Sequence, residues 1–355
     1  MRVAILWTRL SGYLNACLKE LASREGVELF VSYQEAEQQA PFSDDQFSWF
    51  PNSLEWRAQE DLTSLDARLR AFNPDIVVFS GWHLPAYRRV TKELSKRCWR
   101  VMVMDNCWRA TLKQRIGTLV APWYILPIAD AVWVPGERQA LFARRFGFAE
   151  RNILWGLLSC DQPALETAHL SRLADGCPVP HAFLFVGRFV QDKGLDLLVK
   201  AYQAYRKNSI DPWPLVCCGS GPLAHLLEGQ PGITVEGFVQ PNLLRDKLAS
   251  AGCLILPSNF EPWAVVVHEA ASAGLVILAS EKVGAAVHLV QDNYNGYIIG
   301  SDDVEGLTAR LSHVSQLSEA RLDAMSRASH LLSKQYSPAR WADTLLEGVH
   351  TASPL

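Results

Sequence analysis

Short apolar runs alternate with longer mixed stretches along this chain, the pattern expected of strands buried on both faces and separated by helices. Residues 3–7, 29–33, 75–79, 101–104, 131–134 and 153–157 have the apolar, strand-like character of a first unit, with helical stretches after several of them. A Gly/Pro-containing segment, 175–180, is the linker candidate, and further strands are expected near Phe183, Leu215, Ile233, Leu254, Val276 and Tyr297. Such alternation predicts an α/β fold of two doubly wound, Rossmann-like units. A last helix is expected at about 338–349, after Tyr336 and Ser337.

Within the second series, the apolar run 253–256 is followed by a loop, and then by a stretch free of glycine and proline from Ala264 until Gly274. This predicts strand, loop and helix, with Glu261 in the loop at the carboxyl end of the strand, where open α/β sheets bind ligands. Pro262 suits the first helical position, whose N–H has no partner. Glu269, about two turns further in, suits a carboxylate that accepts hydrogen bonds from both hydroxyls of a ribose. The backbone N–H groups near Trp263, Ala264 and Val265 would face a diphosphate at the positive end of the helix dipole.

Upstream, the strand at Phe183 runs into Gly187 and then into two cations five residues apart, Arg188 and Lys193. An Arg and a flexible Lys in one loop suit a leaving diphosphate, whose growing charge they would neutralise. Gly187-Arg188, Lys193-Gly194, Gly219-Ser220-Gly221-Pro222, Gly237-Phe238, Glu261, Glu269 and Asn295-Gly296 occur in the order that resembles the retaining glycosyltransferases of family 4. The resemblance is specific from about residue 181 to 300. It implies a GT-B fold, with two Rossmann-like domains facing a central cleft and a C-terminal helix crossing back to the first. Residues 1–175, completed by 336–355, would bind the acceptor, and residues 176–335 would bind the donor, a nucleotide-diphosphate sugar. It further implies a retaining transfer needing neither metal nor added cofactor. Arg188, Lys193 and Glu261 would be catalytic, and Gly187, Gly219, Phe238, Trp263, Ala264, Val265 and Glu269 would hold the donor.

The chain departs from the family pattern in four places. Ala264 stands at a usual glycine, Val276 at a usual proline and His288 at a frequent glutamate, while Asp105 and Asn106 stand where many members place a histidine near the reacting sugar. Sugar-nucleotide epimerase or hydrolase chemistry, or a non-catalytic sugar-nucleotide-binding partner, therefore stays open beside transfer. Gly219, Gly221 and Ala224, with Glu236 downstream, also fit a loose dinucleotide fingerprint, but Pro222 removes an N–H that a pyrophosphate would use.

The first half is less explicit. Gly12, in the turn after the first strand, would let backbone approach a diphosphate, and its bland alternative is an ordinary turn. His83, Asp105 and Asn106 end other strands and are candidates on the acceptor or sugar side. The net charge of -3 conceals a local excess, because residues 88–151 hold 13 Lys/Arg against 5 Asp/Glu. Arg88, Lys92, Lys96 and Arg100 recur every four residues and would form one stripe on a helix, suited to an anionic membrane surface bearing a lipid-linked acceptor, or else a solvated face. Nucleic acid is not an expected partner, since the chain as a whole is acidic and lacks a basic/aromatic binding motif.

At 355 residues and 49% hydrophobic content the chain has ample core for two domains. Its eight cysteines are scattered, with neither Cys-x-x-Cys nor metal-ligand spacing, which suggests a reducing compartment. The first apolar run is too short for a signal peptide, and no window is apolar enough to span a membrane. A cytoplasmic location, peripheral to the inner membrane face if the basic surface docks, is the expectation.

Overall fold

The computed structural model describes residues 1–34, 47–56, 63–94 and 98–351, which divide by their contacts into two units. Unit 1 comprises residues 1–159 together with the chain from Pro338 onward, and unit 2 comprises Cys160–Ser337.

Unit 1 is built from β1 (Arg2–Arg9), α1 (Gly12–Ala22), β2 (Glu28–Gln34), β3 (Ser53–Trp56), α2 (Leu65–Phe72), β4 (Ile76–Phe79), α3 (Pro85–Glu93), β5 (Trp99–Val103), α4 (Leu112–Tyr124), β6 (Ala131–Val134), α5 (Glu137–Phe146) and β7 (Ile153–Trp155). Its sheet runs β3-β2-β1-β4-β5-β6-β7, every neighbouring pair parallel. Helices on both faces leave the central strands dry, and all four residues of β4 and of β6 are buried.

Unit 2 follows with α6 (Gln162–Ala174), β8 (Phe183–Val186), α7 (Leu195–Asn208), β9 (Leu215–Cys218), β10 (Ile233–Gly237), α8 (Pro241–Ala249), β11 (Cys253–Leu256), α9 (Val265–Ser272), β12 (Val276–Ser280), α10 (Ala286–Leu289), β13 (Gly296–Ile299), α11 (Val304–Ser315) and α12 (Glu319–Ser333). Its six strands are ordered β10-β9-β8-β11-β12-β13, again all parallel. In each sheet the direction of winding reverses at one place, between β1 and β4 and between β8 and β11. The diverging loops there leave a crevice at the carboxyl ends of the strands.

Every strand expected from the apolar runs is present, and β3 is an addition, a short edge strand whose Leu54 and Trp56 alternate inward. The unit boundary falls at Cys160 and not at the 175–180 segment, because α6 is bound into unit 2. Cys160 donates its N–H to His268 Nδ1 at 3.1 Å, Arg172 pairs with Asp323 at 3.2 Å, and Glu166 with His330 at 2.8 Å.

The final helix, α13 (Pro338–Thr351), returns to unit 1. Trp341 is buried there, its ring centroid 4.5 Å from that of Trp133 and its indole N–H donating to the Leu157 carbonyl at 2.8 Å.

Candidate functional site

The carboxyl ends of β8 and β11 meet at the reversal point of the second sheet, and the loops there are drawn together by glycine. At Gly219 φ is +150°, and an added Cβ would lie 1.9 Å from the Gly187 carbonyl oxygen, so the loop after β9 lies directly against the turn after β8. Gly194, at φ +65°, plays the same part between the turn Gln191–Lys193 and the loop after β11, since a Cβ there would sit 2.2 Å from the Pro257 carbonyl oxygen. The contact is sealed by Asn259 and Phe260, whose N–H groups donate to the Asp192 carbonyl at 2.8 and 3.2 Å.

This close approach joins two residues far apart in sequence. The Lys193 ammonium donates to Glu261 Oε2, with both side chains largely shielded from water. Glu261 is itself anchored through its carbonyl, which accepts from the Gly284 N–H at 3.0 Å. Arg188, two residues beyond β8, is exposed, and its side chain has no hydrogen-bond or ion-pair partner among the described residues. Gly187 packs beside Lys193, for an added Cβ would touch the lysine stem and the Phe185 ring, each at 3.6 Å.

Helix α9 begins at Val265, three residues later than Pro262, so the proline is not the first helical residue. The cause is the backbone at Ala264, held in the left-handed region at φ 76° and ψ 86°, while the Trp263 carbonyl is taken by the Ala285 N–H at 2.8 Å. The helix can start only beyond that turn; the Val267 N–H donates to the Ala264 carbonyl at 3.1 Å, while the amides of Val265 and Val266 lie at its positive end without intrahelical acceptors. Ala264 thus occupies a conformation suited to glycine.

Glu269 lies one turn into α9. Burial alone pushes its carboxyl up to about 7, and its side chain has no partner among the described residues. The neighbouring His268 is the opposite case. Its Nδ1 accepts from the Cys160 N–H, its Nε2 donates to the Ser333 carbonyl at 3.0 Å, and burial pulls it down to about 4, so it is a neutral packing residue. Trp263 is buried against His288 and Tyr336, with ring centroids 5.7 and 5.6 Å away, so its ring packs and only its backbone belongs to the loop. Phe238 follows β10 and is half-buried. Sequence reasoning did not single out Asn259, whose side-chain oxygen is buried without a partner beside Gly194; the polar pair Ser258-Asn259 directly after an apolar strand was its only signal.

The dinucleotide alternative loses its support. Only a 3-10 turn, Ala224–Leu226, follows Gly221, so no helix start is offered to a pyrophosphate, and Glu236 pairs with Lys247 at 2.9 Å.

In unit 1 the candidates gather at the carboxyl ends of three adjacent strands. Gly12 opens α1 after β1, His83 follows β4 and stands exposed beside Trp82, and Asp105 with Asn106 follows β5, both exposed. The four-residue basic stripe does not form. Helix α3 ends at Glu93, Lys96 lies outside the described residues, and Arg100 belongs to β5, where it is buried in a two-pronged pair with Asp130 at 2.9 and 2.6 Å. Arg88 lies over the Tyr124 ring at 3.5 Å. No helix among the described residues is long and apolar enough to cross a membrane.

The family model of glycosyl transferases group 1 matches residues 180–330. An uncharacterized glycosyltransferase of Methanocaldococcus jannaschii is 33% identical over 122 residues, 32% of this chain and 30% of that protein. Sulfoquinovosyl transferase SQD2 of Arabidopsis thaliana is 27% identical over 193 residues, 48% of this chain and 36% of that protein. The chain therefore spans about a third of the length of these curated relatives. Among solved structures, Anabaena HepE in complex with UDP superposes with a TM-score of 0.74 at 14% identity, covering 99% of this chain and 100% of that one. The fold is GT-B.

Proposed function

We propose that the chain is a retaining glycosyltransferase that moves a sugar from a nucleotide-diphosphate donor to a hydroxyl of a glycan, a lipid-linked or a small-molecule acceptor. The observation that carries this reading is the cluster at the reversal point of the second sheet: two cations, Arg188 and Lys193, a carboxylate already turned toward one of them, Glu261, and a helix start with an unpartnered carboxyl one turn in, Glu269. The roles follow from charge. Arg188, Lys193 and the first-turn amides of α9 attract a diphosphate, and Glu269, once ionised, accepts from the ribose hydroxyls. Glu261 is close enough to Lys193 to hold hydroxyls of a sugar attached to that diphosphate.

In the transfer, the bond from the anomeric carbon to the donor phosphate oxygen breaks, and the bond to the acceptor oxygen forms on the same face. The acceptor proton passes to the departing phosphate. Negative charge grows on the diphosphate as this proceeds, and Arg188 and Lys193 stabilise it in place, the electrostatic role that a metal fills elsewhere. The matches of residues 180–330 to glycosyl transferases group 1, and the UDP and glucose bound by HepE, support a sugar nucleotide as donor.

A thermal-shift screen against sugar nucleotides tests the reading, because a ligand at a hundred times its Kd stabilises by about 2.7 kcal/mol. A stabilising donor that is consumed only with an acceptor supports transfer. Consumption without acceptor indicates a hydrolase or epimerase, and binding without turnover a non-catalytic partner.

A further inference from the structure

Helix α4 is built with its polarity reversed. Gln114, Gly117, Thr118 and Ala121 face the fold, with Gly117 over the Phe146 ring of α5, while the large apolar residues point away. Leu112 is 74% exposed, Ile116 52%, Leu119 72% and Trp123 79%. At 100° per residue these four fall within about 60° of one another around the axis, a single outward ridge. Val120 and Tyr124, also exposed, widen it on one side.

Charge frames the ridge. Lys113 and Arg115 lie on its two flanks, Arg109 precedes the helix, and no carboxylate occurs between Asn106 and Ala129. An ordinary surface helix turns its apolar residues inward, and this one leaves a whole apolar face in water. The helix is firmly kept, since the Thr111 hydroxyl caps it by accepting from the Gln114 N–H at 3.3 Å, and Arg88 of α3 donates to the Tyr124 carbonyl at 2.9 Å.

We propose that α4 is a membrane-docking helix, which lies in the interface of an anionic bilayer with Leu112, Ile116, Leu119 and Trp123 among the acyl chains and Lys113 and Arg115 at the head groups. Apolar residues with an interfacial Trp and Tyr, flanked by cations and free of carboxylates, are what a bilayer surface selects. A second copy of the chain fits less well. Thirteen residues make a ridge only about 20 Å long, so one face offers on the order of 200 Å2, against roughly 800 Å2 per partner in a stable dimer. The docking also has a direction, for α4 follows Asp105 and Asn106 at the end of β5 and so brings that end of unit 1 to the membrane.

The test is co-sedimentation of the full chain with phosphatidylglycerol–phosphatidylcholine vesicles and with phosphatidylcholine alone. The wild type is expected to pellet with the anionic vesicles and to be released as salt rises, while Leu119→Asp/Trp123→Ser loses at least about ten-fold in vesicle affinity. Both side chains are exposed, so the variant keeps its fold, checked by its melting temperature. Wild type that stays in the supernatant, or a variant that pellets equally, overturns the proposal. So does a wild-type dimer in sedimentation that the variant converts to a monomer, which would assign the ridge to self-association. Titration of the same samples with uridine, adenosine, guanosine, cytidine and thymidine diphosphates separates the membrane proposal from the transferase reading: vesicle binding with none of these bound sinks the second alone, and nucleotide binding without vesicle binding sinks the first.

Discussion

Lys193 reaches Glu261 across 68 residues of chain, so the cation proposed to meet a diphosphate is paired with a carboxylate of the loop after β11. An incoming diphosphate has to share that ammonium, which links donor binding to the loop after β11. Lys193→Ala therefore loses turnover and also about 1–3 kcal/mol of stability, because Glu261 is left shielded and unpaired. Arg188→Ala, at an exposed position, loses turnover alone. Steady-state kinetics beside urea unfolding check both, and a variant that raised only KM would remove the leaving-group role.

Glu269 makes the site sensitive to pH. Its carboxyl is raised from 4.5 to about 7, so the folded chain holds a proton there that the unfolded chain releases at lower pH. Stability without ligand accordingly falls as pH rises from 4.5 to 7, and Glu269→Gln removes that fall. Binding of a nucleoside diphosphate runs the other way. It strengthens as pH rises through about 7, because the ionised form is the one that accepts both ribose hydroxyls, and in Glu269→Gln this dependence flattens. Chemical denaturation at several pH values measures the first slope, and calorimetric titration with the nucleotide measures the second.

The two carboxylates differ in what they touch. Glu269→Gln weakens every nucleotide, the bare diphosphate included, by about 1.5–3 kcal/mol at a pH where the wild type is ionised. Glu261→Gln weakens the intact sugar nucleotide and spares the bare diphosphate. The opposite pattern in a calorimeter would exchange the two roles.

Ala264→Gly is expected to stabilise unit 2. The left-handed backbone costs a non-glycine residue about 1–2 kcal/mol, and the greater entropy of unfolded glycine returns about half of that, leaving a net gain of roughly 0.5–1 kcal/mol. A denaturation midpoint that moves down would show that the alanine is not strained.

Arg100→Met is expected to cost roughly 3–5 kcal/mol, since it strands Asp130 with no counter-charge in a mostly buried pair. The same variant leaves vesicle binding unchanged. A loss of vesicle binding at full stability would return Arg100 to the surface role that its four-residue spacing suggested.

Both sheets are legible in the sequence because parallel strands buried on two faces must be apolar throughout, as in 76–79 and 253–256. The cluster at the reversal point of the second sheet is legible for a related reason, since Gly194 and Gly219 mark places where only backbone fits. Spacing misleads where tertiary contacts decide. Arg100 keeps a helical interval from Arg88 yet stands in a strand, because its partner Asp130 lies 30 residues away and leaves no local trace. Pro262 looks like a helix start, and only the turn at Ala264 reveals that the helix waits until Val265. The ridge on α4 is invisible for the same reason, since Leu112, Ile116, Leu119 and Trp123 have the spacing of any core-facing stripe, and the sequence carries no sign of which way it turns.

The return of α13 has a consequence for how the chain is made. Unit 2 is one uninterrupted stretch, Cys160–Ser337, whereas unit 1 lacks part of its core until Trp341, Ala342 and Leu345 arrive behind it. On a ribosome the first sheet emerges early but keeps the surface around Trp133 and the Leu157 carbonyl uncovered while all of unit 2 is added. Of these two units, the one synthesised second is the first to possess all of its segments.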